Sequence, residues 1–368
     1  HKSSHSFPTR RSSDLDALAV AHDTLAREKS GPDRAEEYVR QAEVLVKAGV
    51  DPVEAAQQGE QGLTSMPPDA VEPLLERLSA LLAAPGHVID LYERQVGRCK
   101  SPADRLTALA RAAQVAAQRG ANDRAQSLFE LALSGGVKEE TLEVLERAAA
   151  DGDATAGGKA LRQILANSLA SGSSGLRDGG RTRSALLRRA ATLAWRELED
   201  LDKAFEWLAQ ALVTHVEPAT LDALEELGEN ANALKRVEEV IGKALEEVFD
   251  GPLVRQLVAR RAKLRREKLD DKQGAAADLK KLHDLSPTDT QITEDLYGLL
   301  TELRDYRAMV QLLEDQILRG KDPALRAELA RKAARLWEER LADPREAADA
   351  WRRVLRMKPG DTEAQGGL

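Results

Sequence analysis

The sequence matches itself at a long, nearly constant period of about 72 residues, and this limits the chain to repeated supersecondary units before any single residue is interpreted. The stretch LARKAARLWEERLADPREAADAWRRVLRMKP (Leu329 to Pro359) lies over LVARRAKLRREKLDDKQGAAADLKKLHDLSP (Leu257 to Pro287). Leu257 falls under Leu329, Ala262 under Ala334, Leu264 under Leu336, Leu269 under Leu341, Ala275 under Ala347 and Pro287 under Pro359. One period further back, Leu186, Ala191, Leu193, Leu198 and Ala204 hold the same columns. Within the last copy the apolar residues form two runs at helical spacing: Leu329, Ala333, Leu336 and Trp337, then Ala347, Ala348, Trp351, Val354 and Leu355. Asp343 and Pro344 lie between the runs, where Asp caps a helix and Pro is tolerated in its first turn. Each copy therefore reads as a helical hairpin.

Two earlier copies precede these, one with Ala113, Gly120, Ala125, Phe129 and Ala132 at regular spacings and a weaker one from Ala42 to Leu63. The small packing residues Ala55, Ala125, Ala204, Ala275 and Ala347 recur at nearly equal intervals, the longest running from Ala125 to Ala204. An alanine, an aromatic four residues later and a proline after eight more (Ala347, Trp351, Pro359) resemble the second half of the tetratricopeptide (TPR) motif. That motif repeats every ~34 residues, half the period seen here, so a second hairpin is expected in each gap. Leu296, Leu299, Tyr306, Met309, Leu312 and Leu313 supply one, and Leu224, Leu227, Leu234, Val237, Val240 and Ile241 supply another, one period earlier. The resemblance implies an all-α, TPR-like α-solenoid of about nine helical hairpins, five TPR-like and four of the alternating type, forming a right-handed superhelix. It also implies that the first helix of each hairpin lines a concave groove.

Residues 16–170 are expected to hold the N-terminal repeats and 181–360 the C-terminal ones. SGSSGLRDGG (171–180) is read as the flexible loop that lengthens the interval between Ala125 and Ala204. GDATAGG (152–158) is read as the joint between two helices. Residues 361–368 are read as the cut-short start of another helix, capped by Asp361 or Thr362, as in a fragment of a longer array. At the other end, HSFPTRRSSDL (His5 to Leu15) resembles the translation of a sequencing adapter, so residues 1–15 are set apart as a non-native, disordered leader.

Composition agrees with a helical array. Apolar residues make up 42% but aromatics only 3%, so the core is expected to be Leu, Ala and Val, with the 32% charged residues on outer faces. The net charge of −8 weighs against a nucleic-acid partner. No apolar run approaches the roughly 20 residues that span a bilayer, and a cytoplasmic, membrane-free protein is expected. The single cysteine, Cys99, cannot form an intrachain disulfide and is expected to be packed as a small hydrophobe.

Catalysis needs acids, bases or nucleophiles brought together, and the patterns that announce this are missing. His22, His87, His215 and His283 fall in separate repeats, and no HExxH, CxxC, GxSxG or phosphate-loop pattern occurs. A non-enzymatic protein without cofactor or metal is expected. His283 stands in a column held elsewhere by Leu212 and Leu355, and Trp337 and Trp351 stand in packing columns, so burial is expected for all three. Trp195 falls outside the apolar arc of its helix and is expected to be partly exposed.

One polar pattern stands out. Arg188, Arg189 and Arg196, then Arg260 and Lys263, then Arg331, Lys332 and Arg335 lie on the polar arcs of the first helices of the last three TPR-like copies. The column Arg189, Arg260, Lys332 is basic in all three, and residues 253–268 hold seven bases against Glu267. With the groove that the resemblance implies, these side chains would form a basic stripe for acidic, extended or helical segments of other proteins. The competing view is a solvated face paired with neighbouring acids. A second functional reading makes the array the regulatory or sensing arm of a larger enzyme or signalling protein.

Overall fold

The computed structural model describes residues 10–64, 66–172 and 180–368, and all regular secondary structure among them is helical. It divides into two compact units, His1–Thr220 and Leu221–Leu368. In order, the helices are α1 (Arg10–Glu28), α2 (Gly31–Lys47), α3 (Pro52–Gly59), α4 (Pro68–Ala80), α5 (Pro85–Arg98), α6 (Pro102–Gln118), α7 (Asn122–Ser134), α8 (Glu139–Ala156), α9 (Ala160–Ser171), α10 (Arg181–Arg196) and α11 (Leu201–Thr214). They continue with α12 (Pro218–Asn230), α13 (Leu234–Glu247), α14 (Gly251–Glu267), α15 (Lys272–Leu285), α16 (Thr290–Leu303), α17 (Tyr306–Arg319), α18 (Pro323–Arg335), α19 (Pro344–Met357) and α20 (Thr362–Gly366). The successive pairs α2/α3 to α18/α19 are nine hairpins among the described residues, the expected number, with even-numbered helices first in each.

The packing alanines sit where the helices cross. Ala55, Ala125, Ala204, Ala275 and Ala347 are all buried, and Phe129, Phe205 and Trp351, four or one residue further on, are the largest fully buried side chains. In the second unit Val258, Ala262, Leu279, Leu296, Leu299 and Met309 pack into one layer, and Ala330, Ala334, Trp351, Val354 and Ala364 into another. Burying each large aliphatic side chain stabilises by about 1.5 to 3 kcal/mol, and the sum over neighbouring hairpins offsets chain entropy.

The sequence period also appears in the backbone. Glu199, Asp270 and Ala342 all adopt positive φ, at 61°, 51° and 51°. The next residue in each case, Asp200, Asp271 and Asp343, accepts backbone N–H groups and caps the second helix. The earlier copies put glycine at or beside this position, Gly49 and Gly120.

Several expectations change. GDATAGG is mostly helix: Gly152 lies inside α8, where a Cβ would meet Leu161 Cδ2 at 2.5 Å, and only residues 157–159 turn the chain. Asp153, buried in α8, accepts from the backbone N–H of Leu161 at 2.7 Å and Arg162 at 2.9 Å, so it caps α9 across the turn. After Pro359 the chain forms the short α20, with Asp361 as its cap, accepting from Ala364 N–H at 3.1 Å. Helix α1 begins at Arg10, so the described part of the leader, from residue 10 onward, is helical, while residues 1–9 lie outside the described residues. The first half of the last hairpin ends in a π-helical turn, Leu336–Arg340, rather than as a regular helix. Of the 171–180 loop, 173–179 lie outside the described residues.

Trp351 is buried and donates from Nε1 to Glu338 at 3.0 Å, whereas Trp337 and Trp195 are half-buried. Cys99 is also half-buried, and its Sγ donates to the Gln95 carbonyl at 3.4 Å. His283 is 3% exposed. His283 Nε2 donates to the Asp315 carboxylate at 3.1 Å, and Nδ1 lies 3.1 Å from Thr293 Oγ1, a hydroxyl that also reaches the Asp289 carbonyl.

Candidate functional site

The eight basic residues singled out above lie on three first helices, α10, α14 and α18, and most of them meet acids. In the first unit, Arg188 donates to Glu217 at 3.1 Å and to Thr220 Oγ1 at 3.3 Å. Arg189 meets Glu146 at 2.9 Å and Glu139 at 3.0 Å, both on α8, and the guanidinium of Arg196 stands 4.9 Å over the Trp195 ring. In the second unit, Arg260 binds Asp222 and Glu225 of α12. Arg331 donates to the buried Asp361 at 3.1 Å, and Arg335 to Glu363 at 2.6 Å. The bonds from Glu146, Glu225 and Glu363 hold the Arg189, Arg260 and Arg335 guanidiniums above their ordinary pKa, and Arg335 in turn holds the Glu363 carboxyl below its own.

Two cations are freer. Lys263 is exposed and has no ion pair among the described residues, and Lys332, also exposed, meets only Glu328 one turn back at 3.3 Å. Such exposed i,i+4 pairs contribute a few tenths of a kcal/mol.

The pairing follows from a segregation of charge by helix. In the second unit α12 carries four acids and no base, α14 six bases and one acid, α16 three acids and no base, and α18 four bases and one acid. In the first unit α8 carries six acids and one base, and α10 five bases and no acid. The strongly basic α14 is bonded to acids on both sides, through Arg260 to α12 and through Arg266 to Asp295 of α16 at 3.8 Å. Inside its own hairpin, Arg261 and Arg265 both bind the buried Asp278 of α15. The expected stripe is thus one sign of an alternating pattern. Its partners were hidden in sequence because each lies far along the chain on another helix, as Glu146 does from Arg189 and Glu225 from Arg260.

Among the described residues no three His, Cys, Asp or Glu side chains converge as a metal site, and no helix is long and apolar enough to cross a membrane. The negative net charge does not settle the question of nucleic acid, since α10 and α14 are each strongly basic.

No family model matches the sequence, and no curated protein does either. Several solved structures are similar. The C-terminal part of a TPR repeat-containing protein from Cytophaga hutchinsonii shares 14% identity over 82% of this chain and 98% of that one, with a TM-score of 0.25. The APC/C hetero-tetramer Cut9–Hcn1 shares 12% over 97% and 93%, with a TM-score of 0.24. The human IFIT1 dimer with m7Gppp-AAAA shares 13% over 98% and 85%, with a TM-score of 0.22. At such TM-scores none of them is a residue-by-residue guide to this chain.

Proposed function

We propose that the chain is a non-enzymatic scaffold that binds extended or helical segments of other proteins along the first-helix face of its hairpins, and that acidic segments are held in the second unit. The observation that carries this reading is the arrangement of α14 and α18. Arg260, Arg331 and Arg335 are held by acids of neighbouring helices, while Lys263 and Lys332 project without a strong partner. Fixed paired charges set register along a bound segment, and unpaired cations supply the attraction.

The test is a fluorescence-anisotropy titration with a capped, glutamate-rich peptide. Lys263→Glu with Lys332→Glu is expected to weaken binding at least about tenfold, a change of roughly 1.4 kcal/mol, with the melting curve unchanged because neither lysine holds a structural pair. Equal affinity for the two forms, or equal affinity for a neutral peptide, contradicts the reading.

A further inference from the structure

The first unit holds a cleft of about 330 Å³ walled by α4, α5, α6 and α8. Its volume lies in the range of ligand sites, about 300 to 1,000 Å³. At its wall is Gln95, 5% exposed, whose Oε1 has no hydrogen-bond partner. A buried acceptor left unpaired costs about 1 to 3 kcal/mol, so a native chain that keeps one has reason to meet it with a donor. The polar groups beside it are already engaged. Gln114 donates to the Ala148 carbonyl at 2.6 Å and accepts from Arg111 at 3.1 Å. Tyr92 donates to Glu72 at 3.2 Å, and burial together with the Glu72 charge pushes its hydroxyl up, keeping it protonated.

We infer that this cleft takes the side chain of a basic residue, lysine or arginine, from a bound protein segment; the inference rests on the reading of the chain as a protein-binding scaffold. Asp69, Glu72 and Asp151 line the cleft against Arg111 and Arg147. Arg111 is engaged by Glu72 at 2.6 Å and Glu76 at 3.4 Å. That leaves Asp69 and Asp151 with Arg147 in the lining, one more acid than base in a cleft that also holds an unmet acceptor. Leu75, Ala108 and Val144 give the apolar wall along which a long alkyl stem lies while its charged head reaches the polar groups. A neutral side chain would satisfy Gln95 but not the acids, and an acidic one would satisfy neither.

The experiment titrates four capped alanine pentapeptides, with lysine, arginine, norleucine or glutamate at the centre, into the full chain by calorimetry, following the Gln95 side-chain amide by NMR. The lysine or arginine peptide is expected to bind one to one and shift that amide, with the norleucine and glutamate peptides at least tenfold weaker. Gln95→Leu is expected to weaken the basic peptide at least tenfold without lowering the melting temperature, since it removes an unsatisfied buried group. Asp69→Asn with Asp151→Asn, both on the surface, is expected to weaken it severalfold. Binding that ignores charge, or that survives both variants, overturns the inference. The glutamate-rich peptide of the preceding subsection is titrated in the same samples. If it binds and the basic peptides do not, this inference alone fails; if neither binds, the scaffold reading fails with it.

Discussion

The early hairpins of the first unit and the hairpins of the second are built on the same alanine crossings but treat charge differently. On α2, acids and bases are mixed, four to three, and on α6 one acid stands with two bases. Arg77 of α4 still reaches back to Glu36 and Glu43 of α2, and Arg111 of α6 to Glu72 and Glu76 of α4. In the second unit the same reach across helices joins elements of nearly pure sign. Ion pairs between consecutive first helices therefore recur in both units, and segregation of charge by helix is found from α8 onward. Where sign alternates, a slip of one hairpin would set acid against acid, so the pattern specifies which helix neighbours which.

The crossings, common to both regions, should give the largest effects. Ala347→Trp is expected to destabilise by at least about 1 to 3 kcal/mol in denaturant melts, because Ala347 is buried against its partner helix and overpacking displaces it. Ala55→Trp should do the same in the first unit, and a difference between the two would show that the units are not built alike. The turns come next and should respond with opposite sign. Gly120→Ala, at φ 76° with open space around a new Cβ, is expected to cost about 1 to 2 kcal/mol from backbone strain alone.

Acid should weaken both regions. The Lys29 and His22 bonds hold the Glu37 carboxyl below its ordinary value of 4.5, and Arg335 does the same for Glu363. A carboxylate with a depressed folded pKa contributes stability in full above the unfolded value, and loses it as pH falls through the folded one. The melting temperature should hold from neutral pH to about 5 and decline below 4.5. Smallest of all, Ala342→Gly should stabilise by about 0.5 to 1 kcal/mol, since it relieves a positive φ at a residue with a Cβ.

The hairpins and their register were legible because an alanine recurring at one long period marks a crossing that admits little else, and Ala204, Ala275 and Ala347 are buried at equivalent crossings. What was not legible depends on contacts across helices. GDATAGG looked like a loop because glycine marks turns, yet Gly152 is needed for the approach of Leu161, and Asp153 caps the helix that follows. The basic column was visible on the wheel of one helix, but no wheel shows Asp222 and Glu225 waiting on another. The cleft at Gln95 draws its walls from four helices and leaves no local pattern at all.

If alternating charge determines which helices pair, a charge swap between α12 and α14 exposes it directly. Arg260→Glu alone places a third acid beside Asp222 and Glu225 and should lower stability by about 1 kcal/mol at low salt. Adding Asp222→Lys and Glu225→Lys should restore the melting temperature to near that of the unaltered chain, with the recovery shrinking as salt is raised. Losses that simply add, with no recovery in the combined variant, would contradict it.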